Sequence, residues 1–113
     1  MKLIIILISF SKLFGELIYP INNDEINHIQ IMFKWEQENG ITSYNFELSN
    51  LSDFSNILIN DTISDTSILI KQEITWQSNY YWRVKPLNGT YINTFNFSTK
   101  NTSYQFSSDV SPV

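Results

Sequence analysis

The chain has 113 residues, no cysteine and a formal net charge of −4. A disulfide framework and a cysteine-based zinc site are therefore excluded, and apolar packing alone must stabilise the core. Residues 16–113 contain five basic and eleven acidic side chains, a balance that argues against binding to nucleic acid or to an anionic membrane surface.

The amino terminus has the layout of a signal peptide. Lys2 precedes an apolar run over residues 3–10, and the small residue Gly15 offers a cleavage point before Glu16. A membrane-spanning helix needs about 18 apolar residues or more, so the shorter run favours cleavage over an uncleaved anchor. We therefore predict a signal peptide at 1–15, a secreted or cell-surface location, and no membrane span after cleavage.

The following residues predict strands, because apolar side chains recur at every second position. Asn39-Gly40 and Asn88-Gly89 predict turns, the latter a tight hairpin with positive φ angles. The sequence thus predicts an all-β fold over 16–99 and a linker-like tail, rich in Ser, Thr and Asn, over 100–113. The predicted strands cover 17–21, 29–35, 44–48, 54–60, 67–71, 80–84 and 95–97.

The strand pattern resembles that of fibronectin type III domains over residues 17–99. The second predicted strand carries Trp35 where that family has a core Trp, Tyr80 and Trp82 alternate on the sixth, and Ile74 stands six residues before Tyr80, where the family has Leu. The resemblance implies an immunoglobulin-like β-sandwich of about seven antiparallel strands. It also implies a tyrosine corner, in which the Tyr80 hydroxyl hydrogen-bonds to the backbone just upstream. The predicted core residues are Trp35, Phe46, Ile74, Tyr80, Trp82 and Phe97.

The residue counts predict no catalytic, cofactor or metal site. His28 is the one histidine and there are three glycines, too few for a paired-histidine zinc site or a glycine-rich phosphate loop. A serine nucleophile would need His28 as its base, and no nucleophile motif lies near it. Three aspartates, Asp53, Asp61 and Asp65, are candidate calcium ligands, but their spacing fits no EF-hand loop.

A candidate binding face lies on the sixth predicted strand. Tyr81 and Arg83 point outward there, and these residue types are enriched at interface hot spots. Glu47 on the neighbouring strand is a candidate ion-pair partner for Arg83, worth less than ~1 kcal/mol at a surface. The alternative interpretation is an ordinary solvated sheet face. Trp76 is a candidate sugar-stacking platform or a cap on the core.

These features predict a non-catalytic extracellular or cell-surface module that binds a protein or a glycan and acts as a spacer. Two alternatives stay open: an amino-terminal accessory domain of a larger secreted enzyme, and a carbohydrate-binding module that uses Trp76, Tyr81 or Tyr91. Five Asn-x-Ser/Thr sequons are candidate N-glycosylation sites. They begin at Asn50, Asn60, Asn88, Asn96 and Asn101.

Overall fold

The computed structural model describes residues 16–91 and 93–101, which contain eight strands and no helix. The predicted signal peptide and residues 102–113 of the predicted tail lie outside these ranges. The strands are β1 (Leu17–Tyr19), β2 (Asp24–Ile26), β3 (Ile31–Trp35), β4 (Tyr44–Ser49), β5 (Ile57–Ile63), β6 (Ser67–Ile70), β7 (Asn79–Pro86) and β8 (Phe95–Thr99).

The strands form two sheets, one of three strands in the order β1-β3-β6 and one of five in the order β2-β8-β7-β4-β5. The expectation of an all-β fold built from two packed sheets is thereby confirmed. The fold differs from the expected seven antiparallel strands in one respect, because β2 is additional and pairs parallel to β8. Only Ile26 of β2 is buried, so this strand has no period-two pattern for sequence reasoning to detect.

Aromatic rings from both sheets meet between them. Phe33 of the three-stranded sheet lies 5.1 Å from Phe46 and 5.1 Å from Trp82 of the five-stranded sheet, measured between ring centroids. Such edge-to-face contacts add to the free energy gained by removing the rings from water. All six residues predicted for the core are at most 3% exposed: Trp35, Phe46, Ile74, Tyr80, Trp82 and Phe97.

The two Asn-Gly turns differ from each other. Gly40, between β3 and β4, has a φ of +81° and fits the expectation for a tight turn. The expectation of positive φ angles at Asn88-Gly89 was wrong. The Gly89 N–H instead donates to the Pro86 carbonyl at 2.8 Å, and residues 87–94 separate the two strands. A Cβ on Gly89 would lie 3.2 Å from the Pro86 ring. Glycine, which has no Cβ, therefore lets the backbone pass close to this ring.

The segment predicted as a strand from residue 54 begins with a loop. Phe54 has a φ of +58° and is 8% exposed, and β5 begins only at Ile57. Ser49 anchors this loop, since its hydroxyl donates to the Asn56 carbonyl at 2.7 Å and accepts from the Leu51 N–H at 3.0 Å. The centroid of the Phe54 ring lies 3.9 Å from the guanidinium carbon of Arg83, so the loop folds back over the outer side of the five-stranded sheet and buries Phe54 there.

Candidate interaction surfaces

Tyr80 ties the β6–β7 loop to the core. Its ring stacks on Phe97 with a centroid distance of 5.5 Å, and its hydroxyl oxygen accepts a hydrogen bond from the Thr75 backbone N–H at 2.8 Å. The Thr99 hydroxyl donates to the Thr75 carbonyl at 2.6 Å. Both backbone groups of Thr75 are thus satisfied by side chains, and Tyr80 has the hydrogen bond expected of a tyrosine corner.

Arg83 lies at the centre of a cluster of side chains on the outer side of the five-stranded sheet. Glu47 is its cross-strand partner, and Oε1 of that carboxylate accepts from Nη2 at 2.7 Å and from Nε at 2.8 Å. The guanidinium carbon lies 3.9 Å from the Phe54 ring centroid and 4.1 Å from that of Tyr91. We call Glu47, Phe54, Arg83 and Tyr91 the Arg83 cluster.

Neighbouring polar groups complete the hydrogen bonding of the Arg83 cluster. The Tyr91 hydroxyl donates to Asn45 Oδ1 at 2.5 Å, and Asn60 Nδ2 donates to Glu47 Oε2 at 3.2 Å. Burial raises the pKa of Tyr91 to about 12, with a further contribution from the Glu47 carboxylate. The side chain of Glu47 is only 12% exposed, so this ion pair is better shielded than the surface pair that the sequence predicts.

The Arg83 cluster changes the interpretation of the predicted binding face. Two aromatic rings and a carboxylate already occupy the contact positions of Arg83, so its charge is matched within the chain. Tyr81 is half-buried on β7 and stands outside the cluster, whereas Trp76 is half-buried in the β6–β7 loop. Arg83 therefore has a packing role in the structure. Phe54 and Tyr91 contact it, and no spacing pattern in the sequence indicates either contact.

An open groove of about 440 Å³ lies at one end of the two sheets, between the β3–β4 turn and the β7–β8 loop. Ile41 and the 45% exposed Leu87 supply apolar surface, and Glu38 and Asn88 supply polar groups. The Leu87 N–H donates to the Ser43 carbonyl at 3.0 Å, which holds the two walls together. We call this feature the loop-end groove.

The predicted glycosylation sites differ in their surroundings. Asn96 is half-buried on β8, and its Nδ2 donates to Asn22 Oδ1 at 3.1 Å. Asn60 is exposed on β5 and bonded to Glu47. The side chain of Asn88 is exposed beside the loop-end groove, and the remaining two sequons are also exposed, at Asn50 and Asn101.

The chemistry-bearing side chains lie apart from one another. His28 is exposed, with Nδ1 3.4 Å from Asn27 Oδ1 and Nε2 3.5 Å from the Tyr19 hydroxyl. Within residues 16–91 and 93–101, no three His, Asp or Glu side chains gather as a metal ion would require. The same residues contain no helix long and apolar enough to be a candidate membrane span.

Comparison with known proteins finds no relative. No family model matches the chain, and neither a curated protein nor a solved structure matches it.

Proposed function

We propose that the chain is an exported, non-catalytic module of the fibronectin type III kind that binds a protein partner and acts as a spacer. The observation that carries this proposal is the hydrogen bond from the Thr75 N–H to the Tyr80 hydroxyl, at 2.8 Å. It lies at the end of a two-sheet core that contains Trp35, as expected for a tyrosine corner in such a domain.

The strand order supports the same proposal. In an immunoglobulin-like sandwich, strands A, B and E share one sheet, and strands C, F and G share the other. Here β1, β3 and β6 form one sheet, and β4, β7 and β8 are adjacent in the other. Strand β5 pairs with β4 at one edge, and the additional strand β2 pairs with β8 at the other, so both extend the second sheet without changing this order.

The loop-end groove is the proposed contact surface. Its two walls correspond to the B–C and F–G loops, which in antibody variable domains carry recognition at one end of the sandwich. The residues that line it include no aromatic side chain on which a sugar ring could stack. An apolar centre beside polar groups is typical of protein interfaces, so we assign the groove to an apolar side chain of a protein partner.

Two leucines of nearly equal exposure allow a matched test of this surface. Leu87 is 45% exposed at the loop-end groove, and Leu51 is 46% exposed in the β4–β5 loop, at the other end of β4. The multimerised module is screened against a panel of extracellular proteins and a glycan array. Leu87→Asp is expected to abolish binding to the protein partner, and Leu51→Asp to preserve it. Equal effects of the two variants, or binding only to glycans, would contradict the assignment.

Export is tested separately from binding. The full chain, expressed with a carboxy-terminal tag in a secreting host, is expected in the medium with Glu16 as its first residue, because cleavage is predicted after Gly15. Amino-terminal sequencing of the secreted product measures this. Retention in the cytoplasm with Met1 still present would contradict the export part of the proposal.

A further inference from the structure

Strand β5 is an edge strand of the five-stranded sheet. It spans Ile57–Ile63, and β4 is its one hydrogen-bonded neighbour among the strands that the structure describes. An edge strand presents alternate backbone N–H and C=O groups that a further strand can pair with. With seven residues and neither proline nor lysine, β5 lacks two of the common features that block such pairing. It has a third, a charged residue on its inward side, which is Asp61, so only a strand that matches this charge can pair with the edge.

An open groove of about 330 Å³ lies beside this edge, between β5 and β6. Ile59, Ile68 and Leu69 line it, and Leu69 is 45% exposed. A strand added to β5 would point every second side chain toward the opposite sheet, and thus into this groove. We call this feature the edge groove, and its apolar lining matches the alternate-residue pockets used in strand addition.

Asp61 determines which kind of strand fits. It stands opposite Phe46 in the β4–β5 register, between Ile59 and Ile63 on the core-facing side of β5. Its side chain is exposed, and its carboxylate makes no hydrogen bond or ion pair with the residues that the structure describes. The edge groove also contains Glu73 and Lys71, so it carries two carboxylates and one ammonium group.

This charge distribution selects against two possible occupants. A wholly apolar strand would bury the Asp61 carboxylate without a partner, which is unfavourable. A second copy of β5 would bring another Asp61 into the same groove, and like charges repel. A strand with a basic residue between apolar ones would instead pair its charge with Asp61 and fill the apolar positions on either side.

We propose that the β5 edge is a strand-addition site for an extended segment of a partner protein. The segment has apolar side chains at alternate positions and a lysine or arginine opposite Asp61. Backbone pairing supplies the affinity, and the carboxylate supplies the selectivity. This surface is separate from the loop-end groove, so it goes beyond the proposed function and does not depend on it.

Two synthetic peptides that differ at one position test the proposal. The first is acetyl-TVTKTVT-amide, and the second has Glu in place of Lys. Titrated into the full chain and followed by amide hydrogen exchange, the Lys peptide is expected to slow exchange along β5. The short edge strand β2, at the other side of the same sheet, is expected to be unaffected. The Glu peptide is expected to bind at least about tenfold more weakly because of like-charge repulsion.

Two neutralising variants separate the site from general attraction to an acidic chain. Asp61→Asn is expected to remove the preference for Lys over Glu. Asp65→Asn, a control in the β5–β6 turn whose Oδ1 can still accept from the Thr66 N–H, is expected to keep it. The proposal is overturned if β5 exchange is not slowed, if β2 is protected equally, or if Asp61→Asn leaves the preference unchanged.

Discussion

Trp35 joins the two sheets through its ring, which lies 6.0 Å from the Phe46 ring and 5.9 Å from the Tyr44 ring. Trp35→Ala is expected to lower the free energy of unfolding by about 3–5 kcal/mol, because it leaves a large cavity in the core. Small domains have about 5–15 kcal/mol in total, so the loss is readily measured in a urea melt. Trp76→Ala, in a half-buried loop tryptophan, is the control and should cost less. Coincident melts of Trp35→Ala and the parent would contradict the strand register.

Tyr80 contributes to the stability of the fold through its hydroxyl as well as its ring. Tyr80→Phe keeps the stacking on Phe97 but leaves the Thr75 N–H without its acceptor. Thr75 is exposed, so water can replace the lost acceptor, and we expect a loss of about 0.5–1.5 kcal/mol, the net contribution of a typical hydrogen bond. Tyr81→Phe removes a hydroxyl that makes no hydrogen bond within the described residues, and should change stability by less than about 0.5 kcal/mol. Equal melts for the two variants would show that the corner hydrogen bond is not formed in solution.

At the scale of the elements, the Arg83 cluster connects three parts of the five-stranded sheet. Glu47 and Arg83 come from adjacent strands, Phe54 comes from the β4–β5 loop, and Tyr91 comes from the β7–β8 loop. The two loops leave opposite ends of the sheet and fold back onto one guanidinium. The cation–π contacts of Arg83 therefore hold both loops against the outer side of the sheet.

The raised pKa of Tyr91 makes the cluster sensitive to alkali. The ordinary pKa is 10.0 and the folded value is about 12, so between these values the folded state holds more protons than the unfolded state. Stability should therefore fall as pH rises from about 10 to about 12. Urea midpoints measured across that window should decline less steeply for Tyr91→Phe than for the parent. Tyr81→Phe is the control, and a parent-like decline in Tyr91→Phe would contradict the burial of this hydroxyl.

For the molecule as a whole, the excess of acidic residues predicts that the chain does not bind polyanions. Eleven acidic and five basic residues follow position 15. Two of the five basic residues, Arg83 and Lys100, form ion pairs with carboxylates of the described residues. The chain should pass through a heparin column at low salt and bind an anion exchanger, because its field repels polyanions. Retention on heparin that weakens as salt is added would contradict this and would reveal a local basic patch.

Part of the fold followed from local pattern. Period-two alternation places Phe33, Trp35, Phe46, Tyr80 and Trp82 on buried faces, because successive side chains of a strand point to opposite sides of the sheet. The same alternation indicated that Arg83 and Glu47 point outward, and the resemblance to fibronectin type III domains implied that their strands are neighbours. The register confirms that they are cross-strand partners. Where alternation is too short to read, as in β2, sequence reasoning found no strand.

The amino-acid pattern predicts which faces of the strands are apolar, and these faces are buried because removing apolar side chains from water is the main gain in free energy on folding. The roles of the outer surfaces depend on tertiary contacts. Arg83 is part of the packing because it contacts two rings that are distant in the chain. Phe54 comes 29 positions before it, and Tyr91 comes 8 positions after it. Asp61 lies at an edge because strand order places β5 at the end of its sheet, and its carboxylate has no partner within residues 16–91 and 93–101. Contacts between residues distant in sequence depend on how loops fold over the sheets, which no local periodicity encodes.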